Sequence, residues 1–298
     1  MQFAHITIFV KNKEVEMINF SKMHGAGNDF IVVRAEDING IDYCVLAKKV
    51  CDRHFGIGAD GLMVVEESEK YDIKMSYYNS DGSVGEMCGN GIRCFSKFVY
   101  EKNIVKKENI LVDTLAGVKK IELTIDGNGK VEKILVDMGK PEIKAKAVPV
   151  ITDKETFINE VIKIEDLSVK VSSILMGVPH TVIFVDEIKE KEVYEIGAKI
   201  EKHNIYPQNT NVNFVEIVNR GFIKVDTWER GAGKTLACGT GVCSSVYIAY
   251  LLNHVDKRVN VNVPGGKMTI YINNDDEVFM EGTANFICDG KFFCKENY

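Results

Sequence analysis

The sequence predicts an α+β protein built from two similar domains, because the same pattern of motifs occurs twice along the chain. The pattern Cys-Gly-x-Gly occurs as CGNG from Cys88 and as CGTG from Cys238, and each copy opens an apolar, helix-like segment. The two cysteines lie 150 positions apart in a chain of 298 residues. In both halves helices mix with strands that end in a hairpin, which is typical of α+β folds rather than of a wound parallel sheet.

Further landmarks extend the repeat beyond the cysteines. The segments that begin at Asn79 and Glu229 align without gaps at the same offset of 150 positions. Glycine-containing turns recur at nearly this offset, as Gly25 with Gly177 and Gly117 with Gly266. Four landmarks in the same order indicate an internal duplication, in which two copies of one domain are related by a pseudo-twofold axis.

The duplication divides the chain into two predicted domains of about 150 residues, a common domain size. The first half comprises residues 1–137 together with 281–298 and carries Cys88. The second half comprises residues 138–280 and carries Cys238. Equivalent cysteines in two such halves predict one site in the cleft between the domains, with a thiol on each side.

Hydrophobic periodicity predicts the elements of the first half in order. Strands are predicted at residues 31–33, 62–65 and 73–78, and a helix at residues 43–53. After Cys88, apolar side chains fall at i, i+3 and i+7, which predicts a helix with one buried face. The turn sequence Asp-Gly-Asn-Gly at residues 126–129 predicts a hairpin between strands at 121–125 and 131–136.

The second half repeats this order. Strands are predicted at residues 182–185, 212–218 and 223–228, and a helix at residues 193–203. A second helix follows Cys238, and strands at 267–272 and 277–280 flank a polar turn. Each half therefore contains two helices and ends in a hairpin.

Composition and charge exclude several classes of protein. The chain is 45% apolar and 27% charged, and its net charge of −6 argues against nucleic acid or an anionic membrane as a partner. No apolar run approaches the roughly 20 residues of a membrane span. The N-terminal FAHITIFV lacks a basic flank and a cleavage site, so we interpret it as a strand or an extension rather than a signal peptide. A cytoplasmic protein is expected.

The eight cysteines are expected to be free thiols, because disulfide frameworks belong to small secreted chains. A zinc site is not expected, since the chain has no Cys-x-x-Cys pair. Six cysteines are interpreted as small buried hydrophobic residues, namely Cys44, Cys51, Cys94, Cys243, Cys288 and Cys294. Cys88 and Cys238 differ from these because both precede Gly-x-Gly and a helix.

Two glycine-rich segments resemble nucleotide-binding motifs but lack their context. GIGADG at residues 56–61 fits G-x-G-x-x-G, yet it follows a helix and enters a strand, the reverse of the required order. GAGKT at residues 231–235 ends like a P-loop, but Trp228 occupies the position of the first glycine. Neither a nucleotide nor another cofactor nor a metal is expected.

A cysteine before a helix predicts acid–base chemistry. The first N–H groups of a helix lack intrahelical partners, and they lower a thiol pKa together with the helix dipole. The neighbouring glycines let an anion approach these groups closely. Two converging helices would hold a carboxylate between two thiols, so that one thiolate removes the α-proton and the opposite thiol supplies another. The predicted outcome is inversion at an α-carbon, with unequal protonation of two coupled thiols.

The motifs as a group resemble those of the diaminopimelate epimerase family, from about Met17 to Phe293. They are FSKMHGAGNDF, RHFGIGADG, YYNSDGS, MCGNGIRCF, YPQNTNVNF, WERGAGKTLACGTG and a closing DG. The resemblance implies an isomerase without pyridoxal phosphate that interconverts LL- and meso-diaminopimelate in lysine and peptidoglycan-precursor synthesis. It also implies that each domain wraps a barrel-like sheet around a central helix.

The resemblance further implies roles for individual residues. Cys88 and Cys238 match the acid–base pair, and Glu229 and His180 match polar residues at the reacting centre. The positions that match those holding the reacting carboxylate are Gly89, Asn90, Gly239 and Thr240. The positions that match other substrate-binding residues, several of them at the distal end of the substrate, are Asn28, Asn79, Asn211 and Arg230.

Without the resemblance, plainer interpretations of these residues remain open. Asn28 and Asn79 lie among Gly and Asp and fit ordinary turns. Arg230 fits a solvated surface charge, and His180 fits a core histidine whose hydrogen bonds are satisfied.

The chain departs from the family pattern at a few positions. Val178 stands where many members have Asn, Gly61 stands where some have Gln, and residues 1–16 have no counterpart. Because Val178 removes a polar contact near the distal end of the substrate, a related racemase of another amino acid, such as histidine, remains an alternative. A non-catalytic amino-acid-binding relative is a second alternative. The expected partner is a small amino acid, and the oligomeric state is left open, a homodimer included.

Overall fold

The computed structural model describes residues 17–38 and 40–294. The first half begins with strands β1 (Met17–Gly25) and β2 (Asn28–Arg34), a 3-10 helix (Ala35–Ile38) and helix α1 (Tyr43–Cys51). It continues with β3 (Gly61–Glu66), β4 (Ile73–Asn79), β5 (Val84–Gly85), helix α2 (Gly89–Glu101), β6 (Asn109–Asp113), β7 (Lys119–Ile125) and β8 (Val131–Gly139).

The second half follows a similar sequence of elements. It begins with β9 (Glu160–Ile164), β10 (Leu167–Met176), β11 (Val178–Val185) and helix α3 (Glu190–Glu201). It continues with β12 (Asn211–Asn219), β13 (Phe222–Glu229), β14 (Gly233–Thr235), helix α4 (Gly239–Leu251), β15 (Arg258–Val263), β16 (Gly266–Ile272), β17 (Val278–Gly282) and β18 (Asn285–Phe293). Each strand and helix predicted within residues 17–38 and 40–294 is present.

Strand pairing is the same in the two halves. β2 runs parallel to β3 as β11 runs parallel to β12. β4 is antiparallel to β3 and parallel to β6, and β13 is antiparallel to β12 and parallel to β15. The antiparallel series β6–β7–β8 then corresponds to β15–β16–β17. This repeated topology confirms the predicted α+β fold of two pseudo-symmetric domains.

The two halves share one continuous sheet of 18 strands. β8 and β17 pair antiparallel, with Val136 opposite Met280, so that the final hairpins of the halves meet. β18 returns to pair antiparallel with β1, with Phe293 opposite Met17. The exact division into residues 1–137 with 281–298 and residues 138–280 stays a prediction.

Helices α2 and α4 are the central helices of the two halves. α2 packs against β1, β2, β3 and β8, and α4 packs against β10, β11, β12 and β17. α4 is apolar on all sides, as expected for a helix enclosed by protein. α1 and α3 instead pack against separate hydrophobic clusters, so each half has one inner and one outer helix.

Strand β10, which the sequence did not predict, contains polar residues that are paired inside the protein. Ser173 Oγ lies 3.0 Å from the hydroxyl of Tyr206, and Ser172 Oγ accepts a hydrogen bond from the backbone of Asn159. These partners lie far along the chain, so hydrophobic periodicity could not indicate that the serines are buried.

Two expectations concern the N-terminal segment and membrane-spanning helices. The segment FAHITIFV, interpreted as a strand or extension, lies outside the described residues. Within residues 17–38 and 40–294, no helix is long and apolar enough to cross a membrane.

Candidate active site

The N-termini of the two central helices meet at the junction of the halves. Cys88 directly precedes α2 and Cys238 directly precedes α4, both with extended backbone. A Cβ atom placed on Gly239 would lie only 3.5 Å from the Cα atom of Gly89. This close approach of two glycines brings both predicted acid–base cysteines to one place, with the first turns of both helices beside them.

The two cysteines of the junction differ in exposure. Cys238 is 7% exposed and Cys88 is half-buried. Pockets of about 390 and 300 Å³ lie elsewhere, lined mainly by strands β15–β17 and β6–β8. Neither of these two pockets has Cys88 or Cys238 among its lining residues.

The pKa values of the two thiols are raised, contrary to the expectation from the helix N-termini. Burial raises the pKa of Cys88 to about 11, although backbone N–H groups of Gly91 and Asn90 stabilise its thiolate. Burial also raises the pKa of Cys238 well above its ordinary value, and the carboxylate of Glu229 raises it further. The expectation that the thiol pKa values are lowered was wrong, because the loss of hydration raises them more than the helix N–H donors lower them.

Glu229 is the last residue of β13 and lies beside Cys238. Its Oε1 accepts a hydrogen bond from Thr235 Oγ1 at 2.5 Å. Burial raises the pKa of Glu229, which the hydrogen bonds from Thr235 and Cys238 partly offset. Thr235, which the sequence analysis did not single out, is positioned by the pairing of β14 with β13. A carboxylate in this position favours the protonated form of Cys238.

His180 is fully buried, and both of its ring nitrogens have partners. Nε2 lies 3.0 Å from Thr240 Oγ1, and Nδ1 lies 3.3 Å from the amide nitrogen of Asn213. Burial, with a smaller contribution from Arg230, lowers the pKa of His180 to about 3. The neutral ring thus accepts from Asn213 and donates to Thr240, so its hydrogen bonds are satisfied within the protein.

The hydroxyl of Thr240 completes a chain of contacts that reaches the sulfur. Thr240 Oγ1 lies 3.5 Å from Cys238 Sγ. Because His180 donates to this oxygen, the Thr240 hydroxyl hydrogen can be directed at Cys238. Asn213, which the sequence analysis missed, begins this chain and also accepts from Thr227 Oγ1 at 3.0 Å.

Asn90 is buried and connects the two halves. Its Nδ2 donates to the carbonyl of Ala237 at 2.9 Å, across 147 positions of sequence. Its Oδ1 accepts from Arg93 Nη2 at 3.0 Å. The side chain of Asn90 is thus committed to protein contacts, so the group that Asn90 can offer a carboxylate is its backbone N–H at the start of α2.

Asn28 lies at the other sulfur. Its Oδ1 is 3.5 Å from Cys88 Sγ, and its Nδ2 donates to Asp60 Oδ2 at 2.6 Å. Arg53 in turn binds Asp60 and Asp29 at 2.8 and 2.9 Å. The motifs around residues 28 and 53–60 thus form one charged cluster next to Cys88.

Asn79 belongs to a turn, as the plainer interpretation suggested. Its Oδ1 accepts from the hydroxyl of Tyr77 and its Nδ2 donates to Ser83 Oγ, both at 2.9 Å. A Cβ atom on Gly61 would lie 2.6 Å from the ring of Tyr77. Gly61, one of the departures from the family pattern, therefore leaves the space that Tyr77 occupies.

Asn211 and Arg230 form a second polar cluster. Asn211 is 5% exposed, its Nδ2 donates to the carbonyl of Pro179, and its Oδ1 accepts from the backbone of Arg230, both at 2.9 Å. Arg230 Nη1 donates to the carbonyl of Gln208 at 2.9 Å. Asn211 thus holds the backbone of the turn that carries Arg230.

Glu201, which the sequence analysis missed, holds the same turn from α3. This carboxylate is 4% exposed and accepts from Trp228 Nε1 at 2.7 Å and from the backbone of Gly231 at 3.0 Å. A Glu at the end of a helix is unremarkable in sequence, so no local signal could have indicated this role.

The other cysteines are only partly as expected. All eight cysteines are free. Cys51, Cys94 and Cys243 are buried, as expected for small hydrophobic residues, and Cys44 and Cys294 are half-buried. Cys288 is exposed, so its expected burial was wrong, because the flanking residues of β18 are largely exposed as well.

Comparison with solved structures establishes the fold. A hydroxyproline epimerase from Agrobacterium vitis matches with a TM-score of 0.67 over 96% of this chain and 95% of its own, at 12% identity. A PhzF-family phenazine biosynthesis protein from Bacillus anthracis matches with a TM-score of 0.66 over 93% and 99%, at 15% identity. The chain therefore has the fold of these proteins, and at such identities the likeness concerns the fold alone.

Sequence comparison then identifies one family with this fold. The family model for diaminopimelate epimerase matches residues 20–144 and 172–287. The diaminopimelate epimerases of Alkaliphilus metalliredigens and Clostridium perfringens are 50% and 51% identical to this chain, each over 92% of it and over 97% and 99% of their own lengths. The chain belongs to the diaminopimelate epimerase family, and the resemblance indicated by its motifs is confirmed.

Proposed function

We propose that this protein is an isomerase that interconverts LL- and meso-diaminopimelate by two-base proton transfer at the α-carbon. The observation that carries the proposal is the contact between Gly89 and Gly239, which places one cysteine at each of two meeting helix N-termini. Membership of the diaminopimelate epimerase family supports the same reaction. The reaction belongs to lysine and peptidoglycan-precursor synthesis, for which we propose a cytoplasmic setting.

The two cysteines act from opposite faces of the α-carbon. Cys88 and Cys238 take the roles of base and acid in one direction and exchange them in the other. The substrate carboxylate binds the N–H groups at the starts of α2 and α4, supplied by Gly89, Asn90, Gly239 and Thr240. These donors are fixed before the reaction and stabilise the negative charge that develops on the carboxylate when the α-proton leaves.

A thiol with a raised pKa can still become the base when the substrate is present. The α-ammonium group of the substrate brings a positive charge next to the sulfurs, and an opposite charge at close range favours the ionised form. Glu229 keeps Cys238 protonated, and the hydroxyl of Thr240 contacts the same sulfur. The two thiols can therefore differ in protonation, as two-base inversion requires.

The distal amino-acid end of the substrate is assigned to the Arg230 cluster. A guanidinium binds a carboxylate in bidentate geometry, and Arg230 uses Nη1 for the carbonyl of Gln208. Asn211 holds the backbone of Arg230, so we assign it a positioning role there. Asn79 accepts a hydrogen bond from the hydroxyl of Tyr77, whose ring lies near Cys88, so we assign Asn79 a positioning role as well.

The deciding experiment is turnover of LL-diaminopimelate by purified protein in D₂O. The expected result is formation of the meso isomer with deuterium at the inverted α-carbon, without added pyridoxal phosphate. A binding protein that does not catalyse would leave the α-proton unexchanged.

The racemase alternative rests on Val178, a half-buried residue at the start of β11 where many relatives have Asn. The same assay with a panel of L-amino acids, including histidine and alanine, separates the alternatives. Faster turnover of a monocarboxylate than of LL-diaminopimelate would refute the proposed substrate.

A further inference from the structure

Arg93 is a buried cation that has no carboxylate partner among the described residues. It is 1% exposed and lies in the first turns of α2. Its Nε donates to the carbonyl of Thr283, its Nη1 to the carbonyl of Gly89 and to Met280 Sδ, and its Nη2 to Asn90 Oδ1. Burying a charge without an opposite charge costs free energy of folding, which indicates that Arg93 has a role in the site.

The contacts of Arg93 lead directly to both cysteines. Gly89 follows Cys88, so the Nη1 bond fixes the peptide at the start of α2. Asn90, held by Nη2, donates to the carbonyl of Ala237, the residue before Cys238. One guanidinium therefore orients the first turn of α2 and, through Asn90, the backbone that carries the second sulfur.

The surrounding backbone leaves space for this side chain. A Cβ atom on Gly25 would lie 3.2 Å from Arg93 Nη2, and one on Gly282 would lie 3.0 Å from Nε. Two strands thus approach the guanidinium at positions without a side chain, which is what a built-in site for an arginine requires.

Arg93 also makes the two halves unequal. In the repeat offset of 150 positions, the residue that corresponds to Arg93 is Cys243, which is buried in α4. The cation is therefore present on the Cys88 helix alone, whereas the carboxylate of Glu229 raises the pKa of both thiols. The charged and titratable groups that face Cys88 are Arg93, Glu229, Tyr77 and Cys94.

We propose that Arg93 is the positioning residue of this site: it fixes the first turn of α2 and supplies the positive charge that distinguishes Cys88 from Cys238. This proposal rests on the two-base function proposed above. The positive charge of Arg93 compensates the negative charge that the thiolate and the substrate carboxylate bring to a buried site. The arginine acts through Gly89 and Asn90, without touching the reacting atoms.

The test compares Arg93→Met and Arg93→Lys with Lys97→Met, which removes a cation from the same helix one turn further on. We measure kcat and KM for LL-diaminopimelate, and the pH midpoint of Cys88 alkylation by iodoacetamide, with Cys44 in the same sample as internal reference. Circular dichroism verifies the fold of each variant.

For Arg93→Met we expect kcat to fall about 10²-fold, as for misplaced catalytic groups generally, with a smaller change in KM. The Cys88 midpoint should move upward, because the thiolate loses a nearby cation. Arg93→Lys should restore the midpoint but not kcat, since an ammonium keeps the charge and loses the planar fork. Lys97→Met should have the kcat and the Cys88 alkylation midpoint of the wild type.

A folded Arg93→Met variant with unchanged kcat and an unchanged Cys88 midpoint overturns the proposal. If that variant does not fold, Arg93→Lys decides: a wild-type kcat overturns the positioning role, and a reduced kcat at an unchanged midpoint supports it. The alkylation measurement needs no substrate, so it remains decisive even if the wild type does not epimerise diaminopimelate, which would refute the proposed function instead.

Discussion

At the scale of single residues, the site shows burial and hydrogen bonding acting in opposite directions. The N–H groups of Gly91 and Asn90 stabilise the thiolate of Cys88, yet burial still raises the pKa of this thiol to about 11. At His180, burial lowers the pKa to about 3, which removes a positive charge from the site at neutral pH. In both groups burial favours the neutral form, so ionisation at this site depends on the charges that a substrate brings.

Replacing either cysteine of the pair should abolish inversion. We expect Cys88→Ala and Cys238→Ala each to lower epimerase activity by about 10²–10⁴-fold, because one face of the α-carbon then lacks its proton-transfer group. Proton NMR of LL-diaminopimelate turnover in D₂O measures the loss, and circular dichroism should show an intact fold. Cys44→Ala on α1 is the matched control. Near-normal inversion by either site variant would contradict the two-base assignment.

The buried His180 should make the protein sensitive to acid. The unfolded chain protonates this histidine near pH 6.5, whereas the folded chain does so only near pH 3, so the unfolded state binds more protons between these values. This contribution is fully present above pH 6.5 and is lost as the pH falls through the window, at about 1.4 kcal/mol per pH unit.

Urea denaturation at pH 6.5 and pH 5 measures this effect. The free energy of unfolding should fall more steeply with pH in the wild type than in His180→Asn, which has no titrating ring at this position. His54→Asn, which removes an exposed histidine, serves as the control. Equal pH slopes for the wild type and His180→Asn would show that the ring is not kept neutral by the fold.

At the scale of elements, the outer helix α3 supports the site without touching the cysteines. Glu201 at its end receives hydrogen bonds from Trp228 and from the backbone of Gly231, on either side of Glu229 and Arg230. A helix on the outer face of the second half thereby fixes the turn that carries two predicted site residues.

Glu201→Ala should therefore weaken substrate binding more than it affects the thiols. Two hydrogen bonds to a buried carboxylate are lost, so we expect a loss of about 1–3 kcal/mol in unfolding free energy and a higher KM for LL-diaminopimelate. The pH dependence of Cys88 alkylation should stay as in the wild type. Glu195→Ala, on the same helix but exposed, is the control. A Glu201→Ala variant with unchanged KM would show that the turn keeps its shape without this carboxylate.

At the scale of the whole molecule, the loops of the two halves meet around the cysteines. A Cβ atom on Gly265 would lie 1.9 Å from the carbonyl oxygen of Ala26, and one on Gly27 would lie 2.7 Å from the side chain of Leu236. These contacts join the loop between β1 and β2 to two loops of the second half. One of these loops precedes α4 and the other follows β15. They hold the two halves together around the buried thiols.

Gly265→Ala should force these loops apart. Because a displacement of about 1 Å in a catalytic site costs about 10²-fold in rate, we expect at least a tenfold fall in kcat. Alkylation of Cys238 should become faster as the junction opens. Gly127→Ala, at a turn where a Cβ atom meets nothing within 4 Å, is the matched control. If Gly265→Ala leaves both kcat and the alkylation rate unchanged, loop contact does not govern access to the thiols.

The sequence by itself determined the features that local patterns encode. The periodicity of apolar residues in α2 and the turn at residues 126–129 predicted elements that the structure contains. The two Cys-Gly-x-Gly motifs predicted the duplication, since a repeat is visible without knowing any contact. The cysteines themselves were indicated because their position before a helix is a local property.

Only the tertiary structure decided which groups are ionised and what holds them. Arg93 contacts Thr283 across 190 positions and Asn90 contacts Ala237 across 147, and no local pattern encodes such distances. The sequence did contain one signal for Arg93, because this charged residue lies within the first turns of a helix that buries an apolar face. The sequence did not indicate which groups Arg93 contacts. The net pKa shift of Cys88 likewise depends on how many atoms from distant segments exclude water from its sulfur, which the fold alone determines.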